Sequence, residues 1–247
     1  VIGEMGTNFI IVFNDNDQSI SENHGGMYRK FKELRETNGT AEDNLFRAMG
    51  LAYRYVADGN DAEELIRVFS EEKDRDRPIV IHIHTQKGKG LPFAEDDPEG
   101  WHRHAPFHVE TGIAKKTATP DPYAAATVDF VLETARKNPN FIYLSAGIVG
   151  GINLSPADRA ALGSQYLDVG IAEEHAVAMA SGLARGGARP IFGTYSTFFQ
   201  RTYDQMAQDV AINRSPAVFL ATGTSLYRST DMTHLGFYDI SIFSNIP

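Results

Sequence analysis

The chain of 247 residues is 42% hydrophobic, carries a formal net charge of -9 and contains no cysteine. That length holds one large or two ordinary domains, and the acidic balance argues against a nucleic-acid partner, whose docking surface is ordinarily basic. Without cysteine there are no disulfides, no thiolate catalysis and no cysteine-held metal, which suits a reducing cytoplasm, and no apolar run reaches the length of a membrane span.

In chain order, residues 9–13 (Phe-Ile-Ile-Val-Phe) form a continuous apolar run rich in β-branched side chains. The run predicts a parallel strand covered on both faces. It ends in Asn14-Asp15-Asn16-Asp17-Gln18, a polar cluster whose amide and carboxylate oxygens suit a hard cation such as magnesium and suit a local turn equally well. Gly25-Gly26 reads as a flexible or close-approach point. From Thr40 the pattern turns helical, with Leu45, Phe46, Met49 and Tyr53 on one face. A short strand at 55–56 follows, then a helix through Leu65, Ile66 and Phe69 to about Lys73, then a strand over 78–85. Strand, helix, strand, helix, strand implies a parallel sheet with crossover helices.

Lys87-Gly88-Lys89-Gly90 after that strand has the makings of a phosphate clamp, although it falls short of the P-loop signature. His102, His104 and His108 lie in a proline-containing loop with no cysteine or helical histidine pair, so a zinc site is set aside. Residues 110–122 lack apolar periodicity and read as a linker, dividing the chain at 116/117.

The pattern then restarts. A helix carrying Ala126, Phe130 and Val131 precedes a strand at 141–144 and a glycine-rich loop at 147–151. Next comes Asp168-Val169-Gly170-Ile171-Ala172-Glu173-Glu174-His175, where an extended segment turns through a glycine into a helix running to about Gly186. Two carboxylates in a first helical turn suit the positive end of the macrodipole, and the turn after a parallel strand is where open α/β sheets present ligands. A strand at 190–193, a helix from Thr197 to Ile212 and a strand at 216–220 complete the series. The expected fold is α/β, with two parallel-sheet domains at 1–116 and 117–247, each incomplete at its outer end.

These motifs, taken with Ser19-Ile20-Ser21-Glu22-Asn23, Trp101-His102, Tyr195-Ser196-Thr197-Phe198-Phe199-Gln200-Arg201 and Thr233-His234, come in one order over nearly the whole chain. In that order they resemble the 1-deoxy-D-xylulose-5-phosphate synthase family, thiamine-diphosphate enzymes related to transketolase. The resemblance implies a diphosphate-binding first half, a pyrimidine-binding second half, and condensation of pyruvate with glyceraldehyde 3-phosphate by a cytoplasmic homodimer. It implies magnesium held by Asn16 and by the Gln18 carbonyl, with a third ligand in a Gly-Asp-Gly motif expected upstream of Val1. It further implies cofactor contacts from Ile20, Lys87, Glu173 and Phe198, catalytic roles for Glu173, His102 and His234, and substrate contacts from Tyr195, Arg201 and His234. In this family a carboxylate at the far pyrimidine nitrogen promotes the tautomer that takes the thiazolium proton, which is general acid–base catalysis relayed through a cofactor. The family's Asp-Arg-Ala-Gly segment has no clear counterpart here, where Ala221-Thr222-Gly223-Thr224 stands instead. Arg228 is the substitute candidate for its phosphate contact, ketol transfer on another sugar phosphate is the alternative activity, and a silent cofactor-binding piece is the third.

Overall fold

The computed structural model describes residues 1–116, 121–148, 152–224 and 233–246. It divides into two units, Val1–Thr117 and Ala118–Pro247. The part of the glycine-rich loop at 149–151, the linker residues 117–120 and Arg228 lie outside the described residues.

The first unit is built on strands β1 (Ile10–Asp15), β2 (Ala52–Val56) and β3 (Ile79–His84), all parallel and ordered β1-β3-β2. Helices α1 (Gly26–Glu36), α2 (Leu45–Ala48), α3 (Ala62–Glu72) and α4 (Pro92–Asp96) connect and flank them. Because successive side chains of a strand point to opposite faces, β3 feeds two cores. Val80 packs with Phe31, Leu34, Phe46 and Leu51, while Ile79, Ile81 and Ile83 pack with Val56 and Val68.

Three expectations are corrected here. The strand covered on both faces is β3, which pairs on both sides, whereas β1 lies at the edge of the described sheet with Val12 48% exposed. The helix expected from Thr40 through Tyr53 is the single turn α2, capped by Asn44 and ended by Gly50 at φ +79°, and Tyr53 belongs to β2. Its apolar spacing came from two elements joined across a tight turn. Gly25-Gly26 begins α1, whose many charged residues masked a buried face at Phe31 and Leu34.

The second unit holds β4 (Phe141–Ser145), β5 (Tyr166–Asp168), β6 (Arg189–Tyr195) and β7 (Val218–Thr222), parallel and ordered β5-β4-β6-β7. Around them stand α5 (Pro122–Lys137), α6 (Pro156–Leu162), α7 (Glu173–Arg185), α8 (Ser196–Phe199), α9 (Tyr203–Gln205) and α10 (Asp239–Ser244). One face of the sheet packs Phe141, Tyr143 and Ile191 against Val131 and Leu162, and the other packs Leu144 and Phe192 against Val177, Ala180 and Phe199. Burying a side chain such as Phe192 is worth about 1.5–3 kcal/mol. Gly193 is required in β6, since a Cβ there would run into the Tyr143 hydroxyl.

The helix expected over 197–212 is interrupted. It passes through a 3₁₀ turn at Gln200–Thr202 and widens into a π-helical stretch at Met206–Ile212. Side chains take backbone carbonyls of that stretch: Ser181 Oγ donates to Asp209 O at 2.6 Å and Asn213 Nδ2 to Gln208 O at 3.2 Å. Such insertions into the carbonyl ladder are an established cause of irregular helix.

Candidate functional site

In the first unit, the polar loop after β1 is folded by its own side chains. Gln18 N–H donates to Asn16 Oδ1 at 3.1 Å, placing the Asn16 amide and the Gln18 main chain on one turn, and Ser19 Oγ donates to Asn23 Oδ1 at 2.7 Å. Asp17 adopts φ 60°, a left-handed conformation that aspartate tolerates better than most residues. Thr85, at the end of β3, anchors the loop's start, its N–H donating to Asp15 O at 2.9 Å and its hydroxyl to Asn14 Oδ1 at 2.5 Å. Lys87 Nζ reaches across to Ser19 O at 2.8 Å. Asn16, Gln18, Ile20 and Lys87 are therefore parts of one folded locality, each half-buried.

Below this loop runs a buried polar chain that sequence reading missed. His82, fully buried in β3, bonds Asp15 Oδ2 through Nε2 at 2.8 Å and Tyr53 Oη through Nδ1 at 2.7 Å. Arg35 Nη1 donates to the same Asp15 Oδ2 at 2.5 Å, and its Nη2 donates to Asp17 Oδ1. Because a carboxylate only accepts, the network assigns a ring hydrogen to Nε2, and in a neutral ring Nδ1 then accepts from the Tyr53 hydroxyl. Burial by itself would raise the Asp15 carboxyl, but the bonds from His82 and Arg35 outweigh it and hold the group down at about 2. Burial pushes the Tyr53 phenol well above its ordinary value. The available signal was one histidine inside an otherwise apolar strand, Ile79-Val80-Ile81-His82-Ile83.

His102 lies on the exposed loop that follows α4. Desolvation, and then the Lys87 ammonium, hold its imidazole below the ordinary histidine value. Burial lowers Lys87 as well, partly offset by Glu99. His104 is occupied structurally, stacked on Trp101 with ring centroids 4.1 Å apart.

In the second unit, β5 delivers the chain to the start of α7 through a turn organised by Asp168, whose Oδ1 accepts from Gly147 N–H at 2.8 Å and Gly170 N–H at 2.9 Å. Gly170 sits at φ +74°, where a side chain is strained. Helix α7 then starts without a side-chain cap. Its buried residues are Glu173, Ala176, Val177, Ala180, Ser181 and Ala184. That spacing is the apolar stripe of an amphipathic helix with a glutamate in its first position.

Glu173 is 1% exposed, and its Oε2 accepts from Arg201 Nη1 at 3.2 Å. Arg201 comes from the 3₁₀ turn after α8, and from there its guanidinium reaches Glu173 at the start of α7. Tyr195 and Phe198, which precede Arg201, form a ring cluster with His234, with Phe198 and His234 centroids 5.1 Å apart at 81° and Tyr195 and His234 at 6.3 Å. The Glu173–Arg201 pair and this cluster are the two neighbouring parts of the second unit's candidate site.

The loop residues suit a hard cation bound to a diphosphate. The Asn16 amide oxygen and the Gln18 carbonyl share a turn with Lys87 close by, while Asp15 and Asp17 are committed to Arg35. Two neutral oxygens make a fraction of a magnesium shell, leaving the remainder to phosphate, water and other ligands. Among the described residues there is no group of three or more His, Asp or Glu side chains arranged to hold a metal. Buried Glu173, paired with Arg201, and Phe198, three residues before Arg201, suit a flat, hydrogen-bonding heteroaromatic ring.

Comparison with known proteins gives these groups a family. The model described as "Transketolase, pyrimidine binding domain" matches residues 122–247. The chain belongs to that family. The model described as 1-deoxy-D-xylulose-5-phosphate synthase matches residues 1–43. Over 98% of its length the chain is 33% identical to the 1-deoxy-D-xylulose-5-phosphate synthase of Synechococcus elongatus, and over 100% it is 34% identical to that of Clostridium acetobutylicum. It spans 44% and 45% of those two relatives, under half of their length. The crystal structure of transketolase from Campylobacter jejuni aligns with 97% of this chain and 46% of its own, at 16% identity and a TM-score of 0.44. No helix among the described residues is long and apolar enough to cross a membrane.

Proposed function

We propose that the chain is the thiamine-diphosphate-binding part of a transferase that condenses pyruvate with glyceraldehyde 3-phosphate, releasing carbon dioxide and forming 1-deoxy-D-xylulose 5-phosphate. The observation that carries this reading is the buried Glu173 carboxylate at the start of α7, in a chain one-third identical to such synthases throughout its length. Thiamine diphosphate, held by Asn16, Gln18, Glu173 and Phe198, would supply a carbon nucleophile and an electron sink for decarboxylation.

The chain's residues divide the remaining work. Glu173 shares a proton with a pyrimidine nitrogen, and its burial keeps water from competing for that bond. Phe198 offers a ring face for stacking. Asn16, with the Gln18 carbonyl, contributes oxygens to Mg2+ on the diphosphate, and Ile20 and Lys87 border the same loop. His102, held below its ordinary value, is neutral near pH 7 and suited to accept and return a proton on the substrate side. Arg201 spends one N–H on Glu173 and has four more for a phosphate oxygen, while Tyr195 and His234 face substrate and His234 shares in proton transfer. A cytoplasmic homodimer completes the proposal.

The test is an assay of the full-length protein with pyruvate and glyceraldehyde 3-phosphate, following both carbon dioxide and product. Stoichiometric release of carbon dioxide supports the synthase. Ketol transfer from a sugar phosphate without carbon dioxide would replace it with a transketolase activity.

A further inference from the structure

The chain from Tyr53 through His82 and Asp15 to Arg35 is left over once the groups that touch cofactor and substrate have been assigned. Its location is informative. Asp15 is the middle residue of Asn14-Asp15-Asn16, and in an extended strand end its side chain points away from those of its two neighbours. Asp15 faces inward, 6% exposed, while Asn14 is exposed and Asn16 half-buried. Arg35 grips the loop at two points, Asp15 and Asp17, on either side of Asn16. His82 joins the loop to the central strand, and Tyr53 joins His82 to the far strand β2.

A structural role alone has a simpler solution. Apolar residues of similar volume ordinarily serve at least as well as a buried ionic group, since desolvating the charges is costly. What the ionic version adds is direction, because a planar guanidinium bridging two carboxylates and an imidazole with two bonds fix the rotation of the residues they hold. Asn16 and Gln18 present neutral oxygens at the end of that held segment.

We propose that Arg35, His82 and Tyr53 are positioning residues that, through Asp15 and Asp17, set the orientation of the Asn16 and Gln18 oxygens toward a diphosphate-bound divalent cation. The inference rests on the reading of that loop as the cation and diphosphate site. Partners one bond removed from metal ligands typically change affinity by about 10–100-fold when lost.

The experiment is calorimetric titration of the full-length protein with thiamine diphosphate in the presence of MgCl2, with steady-state kinetics at saturating cofactor. Arg35→Met and His82→Asn are expected to weaken binding about 10–100-fold per folded molecule while kcat at saturating cofactor stays within about threefold of the parent. Arg35→Lys, whose single ammonium reaches one carboxylate and not both, recovers part of the affinity. Tyr53→Phe, which deletes one hydroxyl, gives a smaller loss in the same direction and remains informative if the first two variants fail to fold. Circular dichroism supplies the folded fraction in each case.

Unchanged calorimetric affinity in folded Arg35→Lys and Tyr53→Phe overturns the inference. Asn16→Ala is the control that separates the two levels: if it weakens cofactor binding and the positioning variants do not, only the inference falls. If Asn16→Ala also leaves affinity unchanged, the loop is no cation site and the reading beneath the inference falls with it.

Discussion

The two units hold their principal acidic groups by different means. In the second unit Glu173 is placed by helix geometry: it occupies the first position of the buried stripe of α7, and rigid packing of Ala176, Val177 and Ala180 fixes it with one ion pair from Arg201. In the first unit Asp15 is placed by long-range polar contacts, drawn inward by His82 from 67 residues away and by Arg35 from 20 residues away. A group set by periodic packing takes its place from the helix that carries it. A group set by a buried polar network depends on every one of its partners.

The largest effect that tests this contrast is on activity. Glu173→Gln in the full-length protein is expected to lower kcat by about 10²–10⁴-fold with α7 still folded, as befits loss of an acid–base contribution. Activity within tenfold of the parent would remove Glu173 from the chemistry. On stability, Phe192→Ala should cost about 3–5 kcal/mol and loosen the second unit, read as faster amide exchange in β4, β6 and α7 under native conditions. His82→Phe keeps the Asp15–Arg35 pair but removes one hydrogen-bond partner each from Asp15 and Tyr53 in the first unit, and a buried polar group left without its partner costs about 1–3 kcal/mol. Its exchange signature should appear in β1, β3 and α1 and spare α7, and equal acceleration in both units would erase the contrast.

A subtler prediction concerns pH. The Asp15 carboxyl is held at about 2 against an ordinary 3.8, so its contribution to folding is fully present above the unfolded value and is lost as pH falls from about 4 toward 2. Thermal melts between pH 5 and 2 should therefore show a fall in the first unit's stability that Asp15→Asn lacks. The smallest effect belongs to the surface. Arg67 bridges Glu64 and Glu71 along the exposed face of α3, and Arg67→Ala should leave the melting temperature unchanged within error, because exposed ion pairs are screened by water and salt.

Much of this organisation was readable along the chain. β3, β4 and β6 announce themselves as short β-branched and aromatic runs, and their alternation with helices implies parallel sheets, which the pairing register shows. Glu173 and Glu174 stand out at the turn after a strand, and the phase of Glu173 with Ala176, Val177 and Ala180 was available in the text as helical spacing. Where reading failed, apolar periodicity ran across a boundary, as from Leu45 to Tyr53, or charge concealed a buried face, as in α1. The widening at Met206–Ile212 was invisible because a side chain distant in sequence, Ser181, takes the Asp209 carbonyl there.

The sequence by itself determined the alternating α/β order, and it put Asn16 and Lys87 just after apolar runs and Glu173 in a first helical turn, because those features depend on neighbours a few residues apart. Tertiary structure alone decided that Arg201 turns onto Glu173, that His82 bridges Tyr53 to Asp15 and that Arg35 clasps both sides of Asn16. Such contacts join side chains from separate elements, and they form only after parallel pairing and core packing have brought those elements within a hydrogen bond of one another.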